Sequence, residues 1–158
     1  MSSLERYQEP EATRTDLALE ADSVTDPGAM NSLAKDLANQ GRYDEAFEWV
    51  ERAIAADKLD AGSRYLQATI LQEQSLIEEA MRSLNRAIYL EPNFVIAHFS
   101  LGNLLLKQGR SRDGKKSLAT ALSLLTTCAA DAPLPESDGM TAARLTEIIT
   151  SIISKEAA

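Results

Sequence analysis

A chain of 158 residues with a single histidine, His98, and a single cysteine, Cys128, has few means of doing chemistry. A protein zinc or iron site draws two or more His, Cys or carboxylate ligands together at short spacings. Neither residue has a partner of its own kind, so no metal is expected. Cys128 reads as a residue near a helix end rather than as a nucleophile, and His98 as a core or half-buried packing residue. Paired carboxylates are the remaining route to acid–base catalysis, and Glu78–Glu79 and the group Asp44, Glu45 and Glu48 are the candidates. Both sets fall on the early turns of expected helices, where acids favour the helix dipole and face solvent. Gly102 and Gly109 stand alone rather than in a phosphate-cradling loop. No catalytic residue and no cofactor are expected, and the chain reads as a non-enzyme.

Charge and hydropathy narrow the partners. The formal charge is −8, unevenly spread. Residues 1–26 hold seven acids against Arg6 and Arg14, a balance of −5, so the remaining 132 residues carry −3. An acidic chain gains little from phosphate backbones, which argues against nucleic acid. Lys107, Arg110, Arg112, Lys115 and Lys116, with only Asp113 among them, read as a solvated helix-turn-helix face. The longest apolar runs fall short of the ~20 residues a membrane helix needs. The first residues show neither the basic start nor the apolar core of a secretory signal, and a reducing cytoplasm is the expected compartment. Pro10, Pro27 and the acid excess suggest a tail or linker over residues 1–26, with Leu17-Ala18-Leu19 as one turn of helix at most.

The elements that position all these residues repeat. Offset by 34, three blocks align without a gap: 27–60, 61–94 and 95–128. Leu33, Gln67 and Leu101 fall together, followed by the small residues Ala34, Ala68 and Gly102 and by Leu37, Leu71 and Leu105. Gly41, Ser75 and Gly109 mark a turn. The second half of each block carries Ala46, Ala80 and Gly114, then Val50, Leu84 and Leu118, then Ala53–Ile54, Ala87–Ile88 and Ala121–Leu122. Apolar places at i, i+4, i+7 and i+8 lie on one face of a helix. Each block therefore predicts two helices that pack through a seam of small residues, joined by a turn that tolerates left-handed backbone. Valine and threonine form no alternating runs, so no sheet is expected.

The last block needs a cover for its apolar side. Leu145, Ile148, Ile149, Ile152 and Ile153 recur at helical spacing, and Thr141 is placed to cap that helix after the stretch Pro133–Gly139. Residues 129–140 are expected as a loop and 141–155 as a capping helix. Trp49 sits beside Val50 and either packs or stands out as an anchor.

These positions resemble the tetratricopeptide repeat family, most clearly in Gly41-Arg42-Tyr43-Asp44-Glu45-Ala46 and Ala87-Ile88-Tyr89-Leu90-Glu91-Pro92. Ser75 stands for the family's turn glycine and Gly114 for its alanine, while Lys58 and Thr126 replace its proline. The resemblance implies an all-α fold, a right-handed superhelix of three helix-turn-helix repeats closed by a C-terminal helix. It also implies that the first helix of each pair lines a concave groove for a protein or peptide. The groove residues would be Asn31, Lys35 and Asn39 from the first block. The second would offer Tyr65, Thr69, Gln72 and Glu73, and the third Ile96, Phe99, Asn103, Leu106 and Lys107. For Tyr65 and Phe99, packing between neighbouring repeats is the other reading. The lysine–asparagine–arginine carboxylate clamp of some family members does not carry over. Asn31 and Lys35 stand in reversed order, and Leu66, Ile96 and Ser100 occupy its other places.

A narrower resemblance lies in Pro133-Leu134-Pro135-Glu136-Ser137-Asp138-Gly139-Met140-Thr141-Ala142-Ala143-Arg144-Leu145. It is similar to the segment that follows the repeats in CheR-type chemoreceptor methyltransferases with a C-terminal tetratricopeptide domain. That implies a bacterial chemotaxis module that docks a signalling partner or tunes a linked S-adenosylmethionine-dependent domain. The residues before 27 leave no room for that domain, so no catalytic or cofactor-binding residue carries over. The alternative is a self-association element, a homo-oligomer or a chain whose groove holds its own residues 1–26.

Overall fold

The structure, a computed structural model, describes residues 24–157. The expected tail at 1–26 lies almost wholly outside the described residues. Seven helices and no strand occur among them: α1 (Pro27–Asn39), α2 (Tyr43–Ala56), α3 (Ala61–Glu73), α4 (Ile77–Leu90), α5 (Val95–Lys107), α6 (Ser111–Leu125) and α7 (Ala142–Ala157). Consecutive helices pair as hairpins, α1 with α2, α3 with α4 and α5 with α6, and each hairpin packs on the next, with α7 on α6. This is an all-helical stack, as the 34-residue period requires.

The helix starts follow from local chemistry. Asp26 accepts from the Ala29 N–H at 3.0 Å and Asp60 from the Gly62 N–H at 3.1 Å, so two first helices open on carboxylate caps. The second helices begin without a side-chain cap. They carry Asp44 and Glu45, Glu78 and Glu79, and Asp113 in their first turns instead. The acid pairs that could have suggested catalysis complement the positive end of a helix dipole.

The turn inside each hairpin is one motif built three times. Gly41, Ser75 and Gly109 have φ of 78°, 62° and 77°. The N–H groups of Arg42, Leu76 and Arg110 reach back to the carbonyls of Leu37, Leu71 and Leu105, each at 2.9 Å. These bonds satisfy the carbonyls a helix end would otherwise leave open. Ser75 holds the left-handed conformation without the freedom of glycine, so its turn is the strained copy.

The core runs along the hairpin seams. Ala46, Val50 and Ala53, then Ala80, Leu84 and Ala87, and then Gly114, Leu118 and Ala121 are all buried. In the third hairpin the approach is close enough that Gly102 of α5 faces Gly114 of α6. A Cβ on Gly102 would fall 2.8 Å from the Leu118 side chain and 3.1 Å from the Gly114 carbonyl oxygen. Gln67, standing where the other blocks have leucine, is buried yet satisfied. Ser83 donates to its Oε1 at 2.9 Å, and its Nε2 donates to Glu51 at 3.3 Å. At the far end of the stack, Leu145 and Ile149 of α7 are fully buried, with Ile152 and Ile153 packed against the same apolar cluster. Thr141 Oγ1 accepts from the Arg144 N–H at 3.2 Å at the start of that helix.

Candidate peptide-binding face

Helices α1, α3 and α5 are the first members of their hairpins and carry all twelve residues expected to line a groove. On α1, Asn31 is half-buried and donates through Nδ2 to Ser63 Oγ at 2.8 Å, tying the first hairpin to the second. Its Oδ1 is buried without a partner among the described residues. Lys35 Nζ lies 3.4 Å from Glu136 Oε2, an ion pair between residues 101 apart in sequence. Asn39 is exposed.

On α3, the Tyr65 ring stacks against Phe94 with centroids 5.5 Å apart and planes tilted by 49°. Thr69 donates its hydroxyl to the Tyr65 carbonyl at 3.1 Å, which ties that hydroxyl to its own helix. Gln72 is half-buried and Glu73 exposed. On α5, Asn103 is half-buried and Lys107 exposed. Phe99 is partly buried and, like Tyr65, packs against the main apolar cluster. Packing therefore accounts for part of both aromatics.

Two expected groove residues are placed differently. Ile96 is 5% exposed and belongs to the core, so it is closed to a partner in this conformation. Leu106 leans over Gly114, where a Cβ would meet its Cγ at 2.8 Å, and fills space that glycine leaves in the hairpin seam. Helical periodicity gives a residue's angular place; Ile96 turns inward, and Leu106 stays half-buried.

The residues singled out for other chemistry lie against backbone carbonyls. His98 is buried, with Nε2 2.8 Å from the Pro92 carbonyl oxygen. Cys128 is half-buried with Sγ 3.7 Å from the Leu124 carbonyl oxygen. Among the described residues no three His, Cys, Asp or Glu side chains converge as metal ligands. None of the described helices is long and apolar enough to cross a membrane. Trp49 packs against the apolar cluster shared by the first two hairpins, with the Arg52 guanidinium 4.9 Å from its ring centroid. In the basic run Arg110 pairs with Asp113 at 3.3 Å.

What sequence reasoning missed is the segment facing Lys35. Residues 129–140 were expected as a bare loop. Leu134 of that loop is buried in the main cluster, and Glu136 reaches α1. The one legible signal was a lone leucine between two prolines in an otherwise polar stretch.

Comparison with known proteins agrees with this geometry. A family model described as "Tetratricopeptide repeat" matches residues 16–63, and one described as "TPR repeat" matches residues 70–109. The Arabidopsis thaliana protein "Inactive TPR repeat-containing thioredoxin TTL3" is 24% identical over 98 residues, which is 62% of this chain and only 14% of that protein. The type III secretion translocator chaperone SycD of Yersinia enterocolitica superposes with a TM-score of 0.68 at 17% identity, over 82% of this chain and 88% of that one. PcrH, solved in complex with the chaperone binding region of PopD, gives 0.65 at 17% identity, over 82% and 92%. Repeat spacing, turn geometry, family models and fold neighbours coincide: the chain carries tetratricopeptide repeats.

Proposed function

We propose that this chain is a non-catalytic, cytoplasmic protein-interaction module whose first-helix face holds an extended peptide from a protein partner. The observation that carries this reading is the single register of the three hairpins. It sets Lys35, Gln72, Glu73, Asn103 and Lys107 on three successive first helices, half-buried or exposed, with Tyr65 of the aromatic pair Tyr65–Phe94 on the second of them. Amides and charges next to anchored aromatics suit main-chain and side-chain recognition of a peptide. The fold neighbour PcrH, solved with a partner's chaperone binding region, lends the reading support by analogy.

The narrower reading is a module of a chemoreceptor methyltransferase that docks a chemosensory component or tunes the linked enzyme. It rests on the stretch Pro133–Leu145 alone. An upstream methyltransferase domain in the full reading frame would support it, and a frame without one would remove it.

Tyr65→Ala and Phe99→Ala would strip packing as well as any binding surface, so better tests lie at polar positions. Gln72→Arg with Asn103→Arg is expected to weaken a partner captured by the wild-type chain at least tenfold by titration calorimetry, with helicity retained. Glu48→Arg, on the exposed side of α2, is expected to leave affinity unchanged. Equal affinity in all three proteins would remove the assignment.

A further inference from the structure

The connection between α6 and α7 closes on itself from residue 130 to the first turn of α7. Its neck is pinned by the Leu134 N–H donating to the Met140 carbonyl at 2.9 Å and by the Ala142 and Ala143 N–H groups donating to the Ala132 and Ala130 carbonyls at 3.1 and 2.9 Å. The Ser137 hydroxyl donates to the Leu134 carbonyl at 2.6 Å. Two non-glycine residues, Glu136 and Asp138, sit at φ of 61° and 55°, with Gly139 following at 87°. Left-handed backbone is unfavourable at a residue such as Glu136, so contacts elsewhere must help hold this shape.

Two contacts do so. Leu134 is buried in the apolar cluster that contains Ile96 and against which Tyr65 and Phe99 pack. Two residues on, the Glu136 carboxylate bridges the first two hairpins. Its Oε2 lies 3.4 Å from Lys35 Nζ on α1, and its Oε1 lies 3.0 Å from where a Cβ of Gly62 on α3 would stand. A loop leaving the third hairpin thus reaches back to the first helices of the first two, at Lys35 and Gly62. It presents a greasy side chain and then an acid.

The geometry points to the Pro133–Gly139 loop as a resident ligand of the peptide-binding face. The partner is then a peptide with an apolar side chain followed two residues later by a carboxylate, which binds by displacing the loop. This rests on the peptide-binding reading above and adds the ligand's chemistry and the competitor already in place. The loop is displaceable on physical grounds. The Lys35–Glu136 pair is open to water on both sides, with side chains 49% and 33% exposed, and such pairs hold weakly. The strained backbone relaxes on release. Tethering supplies a high effective concentration, so a loop with few contacts still excludes weak competitors.

The test uses the full chain and a fluorescein-labelled peptide with the sequence of residues 132–140, read by fluorescence anisotropy. A control peptide carries serine and glutamine in place of its leucine and glutamate. Leu134→Ser with Glu136→Lys is expected to bind the peptide at least tenfold more tightly than wild type, and the control no better than wild type does. Adding Lys35→Glu is expected to erase the gain. Glu136→Lys alone, at a surface side chain, is expected to gain about threefold and carries the comparison if the double variant melts below assay temperature. Equal binding by wild type and loop variants that Lys35→Glu still abolishes would overturn the resident-ligand role and keep the face. Binding indifferent to Lys35 in every background, or no binding to any variant, would overturn both.

Discussion

Replacing Gly102 with leucine is expected to destabilise the chain by about 3 kcal/mol or more, near the upper end for overpacked cores. Even a Cβ at this position meets Leu118 Cγ at 2.8 Å and the Gly114 carbonyl oxygen at 3.1 Å. A side chain can rotate away from the first contact, but the second is backbone, so α5 and α6 must move apart. That separation opens the seam holding Leu118 and Ala121, both fully buried. Urea unfolding checks it: the midpoint should fall sharply in Gly102→Leu, whereas Asn39→Leu, on an exposed part of α1, should scarcely move it.

The second large effect lies at the end of the stack. Leu145→Ala with Ile149→Ala should cost about 5 kcal/mol, since single truncations of fully buried aliphatic residues cost roughly 2–5 kcal/mol each and neighbours are not strictly additive. Both residues are 0% exposed and sit one turn apart on the packed side of α7. A loss of that size rivals the whole stability of a domain. The variant is expected to undock α7, uncover the apolar side of the third hairpin and self-associate. Light scattering should show mass growing with concentration, while wild type at the same concentrations shows none of that growth.

Much of this architecture was legible because repetition multiplies weak signals. No single alanine specifies a helix seam, but Ala46, Ala80 and Gly114 at one spacing do, and the turn position held even where Ser75 replaces glycine. The acid pairs were legible too, once placed on first turns. What failed was local. Ile96 has the right angular place for a groove yet is buried in the core, and Leu106 is half-buried against Gly114. Which neighbour covers a residue depends on contacts that a period of 34 does not encode. Leu134 and Glu136 were opaque for the same reason: Glu136 pairs with Lys35 across 101 residues, and a loop's path is set by what it finally touches. Gln67 departed from the leucine pattern because Ser83 and Glu51 were there to satisfy it.

The most direct test of the central claim, that partners bind on the first helices, is site-specific photo-crosslinking. Benzoylphenylalanine goes singly at Asn39, Glu73 and Lys107, which share one repeat position on α1, α3 and α5. As controls it goes at Glu48, Arg86 and Lys115 on α2, α4 and α6. All six are exposed, so the label itself disturbs no packing. Crosslinks to a bound partner from the first three positions and none from the last three are the predicted result. Crosslinks confined to the second helices would contradict the account.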